Sequence, residues 1–182
     1  MNSITIGNLS GKPIEDRENL VGKTTLSYLK ENRELLENTG VVEIDASFSD
    51  TAQFCEHYAI TPSQAANCVI VKGTKEGNPL YAACVVLATT KTENQAVKGE
   101  LGIKTSFAPM EEAVGITEME YGGISPIGLP ASWPILIDER VVQTDSVIIG
   151  SGIRKSKILI KGSALSLLKN SKVVKDLAKL RE

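Results

Sequence analysis

Residues 68–88 read CVIVKGTKEGNPLYAACVVLA. Two apolar runs, Cys68–Val71 and Leu80–Ala88, flank the polar stretch GTKEGNP at 73–79. Glycine, asparagine and proline supply the dihedral angles that chain reversals need, so the segment predicts a strand, a hairpin connection and a returning strand. The longest apolar run, Tyr81–Ala88, suits a buried strand. It falls far short of the ~20 residues that a membrane-spanning helix requires.

On the N-terminal side of this hairpin, Thr61-Pro62 marks a helix start, and Asp50 is placed to cap a short helix through Tyr58. Val41–Ile44 reads as a strand. Leu26, Leu29, Leu35 and Leu36 recur at roughly helical spacing and predict one amphipathic helix over 20–37, ended by Gly40. Ile4 and Ile6 alternate with polar residues, and 11–19 reads as a connector. On the C-terminal side, Thr92 heads a helix to about Leu101, and Pro109 opens another over MEEAVG. A glycine- and proline-rich loop covers 121–130. Trp133–Ile137 is a strand, Ser146–Ile149 and Lys157–Ile160 form a hairpin, and Ser163 caps a C-terminal helix. Strands and short helices interleave without a strict βαβ rhythm. The expectation is a single compact α+β domain over 1–182, a mixed β-sheet with surrounding helices.

Length and composition agree with that reading. The chain has 182 residues, 42% of them hydrophobic and 23% charged, and only 4% aromatic, so its core is mostly aliphatic. Twenty basic and 22 acidic residues leave a net charge of -2. That balance argues against a protein that wraps duplex nucleic acid and leaves room only for a local basic patch. The three cysteines, Cys55, Cys68 and Cys84, form no CxxC pair, which points to reduced thiols rather than a disulfide framework or zinc knuckle. The N-terminal MNSITIGNLSGKPIEDRENL lacks the charged-then-apolar order of a signal peptide. A cytoplasmic protein with no membrane or DNA partner is expected.

Several residues invite chemistry. Gly22-Lys23-Thr24-Thr25 looks like the end of a phosphate-binding loop, but the glycine needed five residues earlier is Arg17, so a helix N-terminus is the better reading. His57, the only histidine, lies two residues from Cys55 and would not face it on a helix. Glu111, Glu112, Glu118 and Glu120 read as a solvated face. Asp138 closes an apolar strand and either caps the next element or touches substrate. Lys72 ends the strand CVIV and is either merely exposed or a fixed ammonium beside a cleft. In Gly122-Gly123-Ile124-Ser125-Pro126-Ile127-Gly128, glycines allow close approach of backbone to a ligand and proline stiffens the loop. Such N–H groups bind phosphates or developing oxyanions; a tight structural turn has the same composition.

The ordered set Asn67–Lys72, Gly122–Pro126 (a GxxxP loop) with Ile127-Gly128, Pro134–Asp138 and Val147–Gly152 resembles the YbaK/EbsC-type aminoacyl-tRNA deacylases. These are similar in turn to the editing insertion domain of bacterial prolyl-tRNA synthetases. The resemblance spans about 50–168; residues 1–40 match none of it. Many relatives carry Ser-Ala-Gly followed by Arg-Arg-Gly where this chain has Gly150-Ser151-Gly152-Ile153-Arg154-Lys155. The resemblance implies hydrolysis of the ester of a mischarged tRNA, of the prolyl-tRNA editing type, with no cofactor and no metal. It implies the acceptor end of an aminoacyl-tRNA as partner, with a synthetase as a further one. Lys72 would hold the terminal adenosine or its phosphate, or orient the carbonyl. Gly122 and Gly123 would present N–H groups to the ester. Ile124, Ser125, Pro126, Gly128, Asp138, Ser151 and Gly152 would line the substrate site. Lys72, Arg154, Lys155 and Lys157 could supply a local basic patch, and the last three read equally well as a solvated hairpin turn. The competing expectation is a non-catalytic module of the same fold that binds a tRNA end, a nucleotide or a protein, since none of these motifs contains a histidine.

Overall fold

A computed structural model describes residues 3–182. The chain begins with the short strands β1 (Thr5–Ile6) and β2 (Leu9–Ser10), then α1 (Lys23–Glu31), α2 (Arg33–Glu37) and β3 (Thr39–Glu43). Next come α3 (Thr51–His57), β4 (Ala66–Lys75), β5 (Asn78–Leu87) and β6 (Thr90–Thr92). They are followed by α4 (Asn94–Leu101), β7 (Thr105–Phe107) and α5 (Met110–Thr117). After a long loop come β8 (Ile135–Asp138), α6 (Glu139–Gln143), β9 (Ser146–Gly150) and β10 (Ser156–Lys161). The chain closes with β11 (Ser171–Val174) and β12 (Ala178–Leu180).

The principal sheet has the order β11-β8-β5-β4-β7, with parallel pairs β11/β8 and β8/β5 and antiparallel pairs β5/β4 and β4/β7. A second, antiparallel sheet has the order β3-β10-β9, and an isolated bridge between Ala65 and Ile148 links the two. This is the expected α+β architecture with a mixed sheet. β5 explains the long apolar run: Ala83, Val85 and Leu87 enter one core cluster, and Ala82, Cys84 and Val86 enter another with Val97 and Leu177. A strand covered on both faces needs no polar alternation. Burial there pushes the Cys84 thiol up to about 12.

Four local expectations are corrected. The hairpin turn is shorter than 73–79: pairing continues to Lys75 and Asn78, and Glu76 and Gly77 both have positive φ, the geometry of a two-residue type I′ turn. The helix expected over 20–37 is broken at Asn32, which leaves helical geometry while its side-chain amide bonds to Tyr28 O at 2.7 Å. Gly40 lies within β3, where it lets two chain segments meet; a Cβ there would stand 3.0 Å from Gly11 Cα. The expected C-terminal helix is a 3₁₀ segment, Gly162–Leu167, and β11 then pairs in parallel with β8. Gly162 holds the turn tightly, because a Cβ would come within 2.2 Å of Val141 O and Thr144 O.

Candidate functional site

The loop after α5 is held by main-chain bonds to the turn between β9 and β10. Glu120 N–H donates to Gly152 O at 2.9 Å and Gly152 N–H to Gly123 O at 2.7 Å. A Cβ on Gly123 would stand 2.5 Å from Ile153 O, and one on Gly150 2.3 Å from Ile124 O. The two backbones touch because those residues have no side chains. Behind them, Ser151 is fully buried, its Oγ 2.6 Å from Ser156 Oγ, and Ser156 Oγ donates to Leu20 O at 2.5 Å. Gly22 N–H donates to Ser151 O at 2.8 Å. The segment 20–25 is therefore a brace for this turn. Gly128 packs on Thr24 and Thr25, and Thr25 Oγ1 donates to Ile127 O at 2.8 Å. Ser125 is buried, and its Oγ accepts the N–H of Ile127 at 3.1 Å.

Gly122 and Ile124 face outward from this frame and line a cavity of about 270 Å³. Its other walls include Ser47, Ser49, Asp50, Thr51, Asn67 and Tyr121, and its cations are Arg154 and Lys157. Arg154 donates to Tyr121 O at 3.0 Å and to Ala46 O at 3.3 Å, with its guanidinium 5.4 Å from the exposed Tyr121 ring. Lys157 Nζ donates to Gly122 O at 3.3 Å and lies 5.4 Å from the Phe54 ring. Burial, helped by the Arg154 charge, pushes the Lys157 ammonium down to about 8.

Two more concavities adjoin this one, and all three share Asn67. One, of about 300 Å³, runs along Cys68–Ile70 between Ile124, Phe107 and Met110. The other, of about 680 Å³, is lined by Asp50, Thr51, Glu56, Pro62 and Arg181 among others. Thr51 Oγ1 donates to Asn67 Oδ1 at 3.1 Å, and among the described residues nothing bonds to Asn67 Nδ2. The strand edge is open here. β7 covers β4 only at Val71–Gly73, Ala108 N–H reaches Ile70 O at 2.9 Å, and Ala65 is bridged to Ile148. Between those points, no described strand pairs with β4 on this side. Main-chain groups alternate in direction along a strand, so Cys68, two residues before Ile70, turns its N–H and C=O into the gap. Its thiol is pushed up by burial and is no ready nucleophile.

The site residues expected from the sequence thus separate into groups. Gly122 and Ile124 line the cavity. Gly123, Ser125, Pro126, Gly128, Ser151 and Gly152 are absent from its walls, and their backbone and hydroxyl contacts make five of them part of the frame. Pro126 is buried in the same loop. Two residues lie elsewhere. Lys72 is five residues along β4 from Asn67, on the order of 16 Å, and lines a different concavity. Its Nζ is 2.6 Å from Glu112 Oε1 and 5.6 Å from the Tyr81 ring, and the Tyr81 hydroxyl also bonds to Glu112. Asp138 is fully buried as a cap: it accepts Arg140 N–H at 3.0 Å and Ala178 N–H at 2.9 Å. His57 stacks on Phe48 with ring centroids 3.9 Å apart. No group of three or more His, Cys, Asp or Glu among the described residues is arranged to hold a metal ion. No described helix is long and apolar enough to cross a membrane. Asn67 and the open edge were missed. Their only trace in the sequence is a polar residue at the head of an apolar strand.

Comparison with known proteins bears on the fold and the family. The chain resembles the solved structure of a proposed trans-editing enzyme for prolyl tRNA synthetase, with 17% identity, a TM-score of 0.71, and 89% of this chain and 99% of the other covered. It resembles the hypothetical protein APE2540 with 16% identity and a TM-score of 0.74, covering 86% of this chain and 100% of the other. At such identities these likenesses speak for the fold. No curated protein matches the sequence significantly. The profile of the aminoacyl-tRNA editing domain matches residues 45–167, a segment that holds α3, the open edge of β4, the glycine loop and the β9–β10 turn. The chain belongs to the aminoacyl-tRNA editing domain family.

Proposed function

We propose that this protein is a trans-editing hydrolase that cleaves the ester of a mischarged aminoacyl-tRNA, of the prolyl-tRNA editing type, without a metal ion. The observation that carries the reading is the junction at Asn67, where a cationic cavity, a mostly apolar one and an uncovered strand edge meet in an editing-domain chain. An aminoacyl-adenosine needs the same three things: a place for phosphate, a place for a side chain and donors for the ester carbonyl. Arg154 and Lys157 attract the terminal phosphates, and the exposed Tyr121 ring offers a face for a base. Asn67 Nδ2 and the Cys68 N–H stabilise the oxygen that becomes negative when a nucleophile adds to the carbonyl. The carbon–oxygen bond to the ribose then breaks, the ribose oxygen takes a proton, and with water as the net reactant the products are free amino acid and tRNA. Tight backbone contact at Gly123 and Gly150 keeps the wall rigid.

The test is release of amino acid from a panel of mischarged tRNAs, in excess chelator, together with measured binding of the same tRNAs. Release that chelator does not affect supports the proposal. Binding without release from any member supports the competing module that grips a tRNA end, a reading favoured by the absence of the sole histidine from the junction.

A further inference from the structure

Building on the reading of the substrate as a tRNA, we propose that the concavity between α4 and β7 grips the phosphate backbone of the acceptor duplex through Lys98 and Lys104, apart from the site that holds the ester. Its volume is about 620 Å³. Lys72, Lys98 and Lys104 line it, with the amides of Asn94 and Gln95 and hydroxyls from β4 and β7. Every polar side chain on its walls can donate a hydrogen bond, and none is a carboxylate. In a chain of net charge -2, that is a local departure, and it suits a polyanion.

The acidic groups nearby are committed elsewhere. Glu93, just before α4, lies 3.1 Å from Lys179 Nζ, and Glu100, in its last turn, lies 2.5 Å from Lys172 Nζ. Glu112 is taken by the Lys72 ammonium. Lys98 and Lys104 form no ion pair among the described residues. They stand on either side of the turn at Gly102, whose positive φ ends α4 and whose N–H donates to Lys98 O at 2.8 Å. A Cβ on Gly73 would stand 2.6 Å from Lys104 O, so the segment that carries Lys104 rests directly on β4. Both lysines are exposed, and the backbone that carries them is fixed.

The position of the concavity favours RNA over a small polyphosphate. β7 is the wall it shares with the ester site: Phe107 lines the apolar cavity at Asn67, and Thr105 and Ser106 line the basic one. Lys72 is on the order of 16 Å along β4 from Asn67. Phosphates advance about 3.4 Å per nucleotide along a duplex strand, so an ester held at Asn67 brings phosphates roughly five nucleotides away to the concavity. At that distance a tRNA has left its short unpaired end and entered the acceptor duplex. Lysines there meet charge and not base edges, so the grip is independent of sequence.

The test uses the full chain and RNAs that carry no amino acid, so its outcome does not depend on hydrolysis. A hairpin that reproduces the acceptor duplex with its 3′ end, and the 3′ end alone, are titrated from about 50 to about 200 mM salt. The proteins are wild type, Lys98→Gln/Lys104→Gln and Lys98→Arg/Lys104→Arg. With two phosphate contacts removed, the slope of log K against log salt for the hairpin should shrink by about two. Wild type should therefore lose about ten-fold more affinity than the Gln pair across that range, and the Arg pair should keep the wild-type slope. Gln95→Glu, which sets a carboxylate in the same concavity, should also weaken hairpin binding and keeps the test usable if the Gln pair fails to fold. An unchanged slope in the Gln pair overturns the proposal. Equal losses for the hairpin and the 3′ end alone also overturn it, by placing both lysines at the terminal phosphates. Tripolyphosphate that binds wild type more tightly than the hairpin, and weakens in the Gln pair, overturns it in favour of a site for a free polyphosphate. The expected hairpin slopes with no ester release from any mischarged tRNA would sink the deacylase reading and leave this surface standing.

Discussion

At one end of β4, Lys72 lies in the stretch paired with β7, its ammonium held by Glu112 and Tyr81, and Tyr81 stacks on Trp133. At the other end, Asn67 lies where no described strand covers the edge, and its Nδ2 donors are free among three concavities. The lysine looks more like chemistry on paper, but its charge is already satisfied. The asparagine looks incidental, yet it stands beside unpaired main-chain groups. The contrast teaches that the useful polar group is the one the fold leaves unpartnered, because a group that already has its partner must lose it before it can serve a substrate.

The largest expected effect comes from closing the wall at the open end. Gly123→Val places a branched side chain where even a Cβ would stand 2.5 Å from Ile153 O. Thermal or denaturant unfolding should show a loss of about 1–3 kcal/mol, and deacylation should fall 10²-fold or more as the loop is displaced. Unchanged kinetics would mean that the loop and the β9–β10 turn are independent of the site.

A smaller effect is expected from pH. Burial, then the Arg154 charge, brings Lys157 to about 8. If its cation attracts the terminal phosphates, kcat/KM should fall as pH rises through about 8, by up to ten-fold per unit. A rise through the same pH would assign the neutral amine as a base. Stability has the opposite slope. Between about 8 and the ordinary lysine value near ~10.4, the unfolded chain binds more protons than the folded one, so Lys157 makes stability increase with pH across that window.

The smallest effect belongs to the closed end. The Lys72 hydrogen bond, then that of Tyr81, holds the Glu112 carboxyl below its ordinary value, and Glu112 raises both Lys72 and Tyr81. The group therefore stabilises the fold between the carboxylate range and the lysine range, and its contribution is lost as pH falls through the first or rises through the second. Lys72→Met should lower Tm slightly at neutral pH. That difference should shrink as pH falls below the ordinary glutamate range and vanish only once the lowered Glu112 carboxyl has gained its proton in the folded state. A Tm difference that persists in acid would point to packing against Tyr81 instead of charge.

Much of the fold was legible because it rests on local signals. The β4–β5 hairpin, the Asp50 cap with its 3.2 Å bond to Ala52 N–H, and the β9–β10 pair all arise from apolar runs and turn chemistry. The elements that escaped were set by distant contacts. β11 is a four-residue strand stabilised by pairing with β8, and β12 a three-residue strand paired with β6, so neither run is long enough to stand out. The candidate site divides the same way. Glycine and proline marked the loop, but the direction in which each residue faces depends on the turn it packs against. Gly122 and Ile124 face the cavity while Gly123 faces Ile153. Asn67 could not be singled out, because its role depends on where β7 ends.

The two ends of β4 can be set against each other in one measurement: single-turnover deacylation by Asn67→Ala and Lys72→Met, on the tRNA ester that wild type cleaves fastest, with melting curves for both. Asn67→Ala should keep its fold and lose about 10²-fold in rate, as expected for removal of an oxyanion donor. Lys72→Met should stay within about two-fold of wild type, since its charge is spent on Glu112. A folded Lys72→Met that has lost activity, beside an Asn67→Ala that retains it, would place the chemistry at the covered end of the strand and contradict this account.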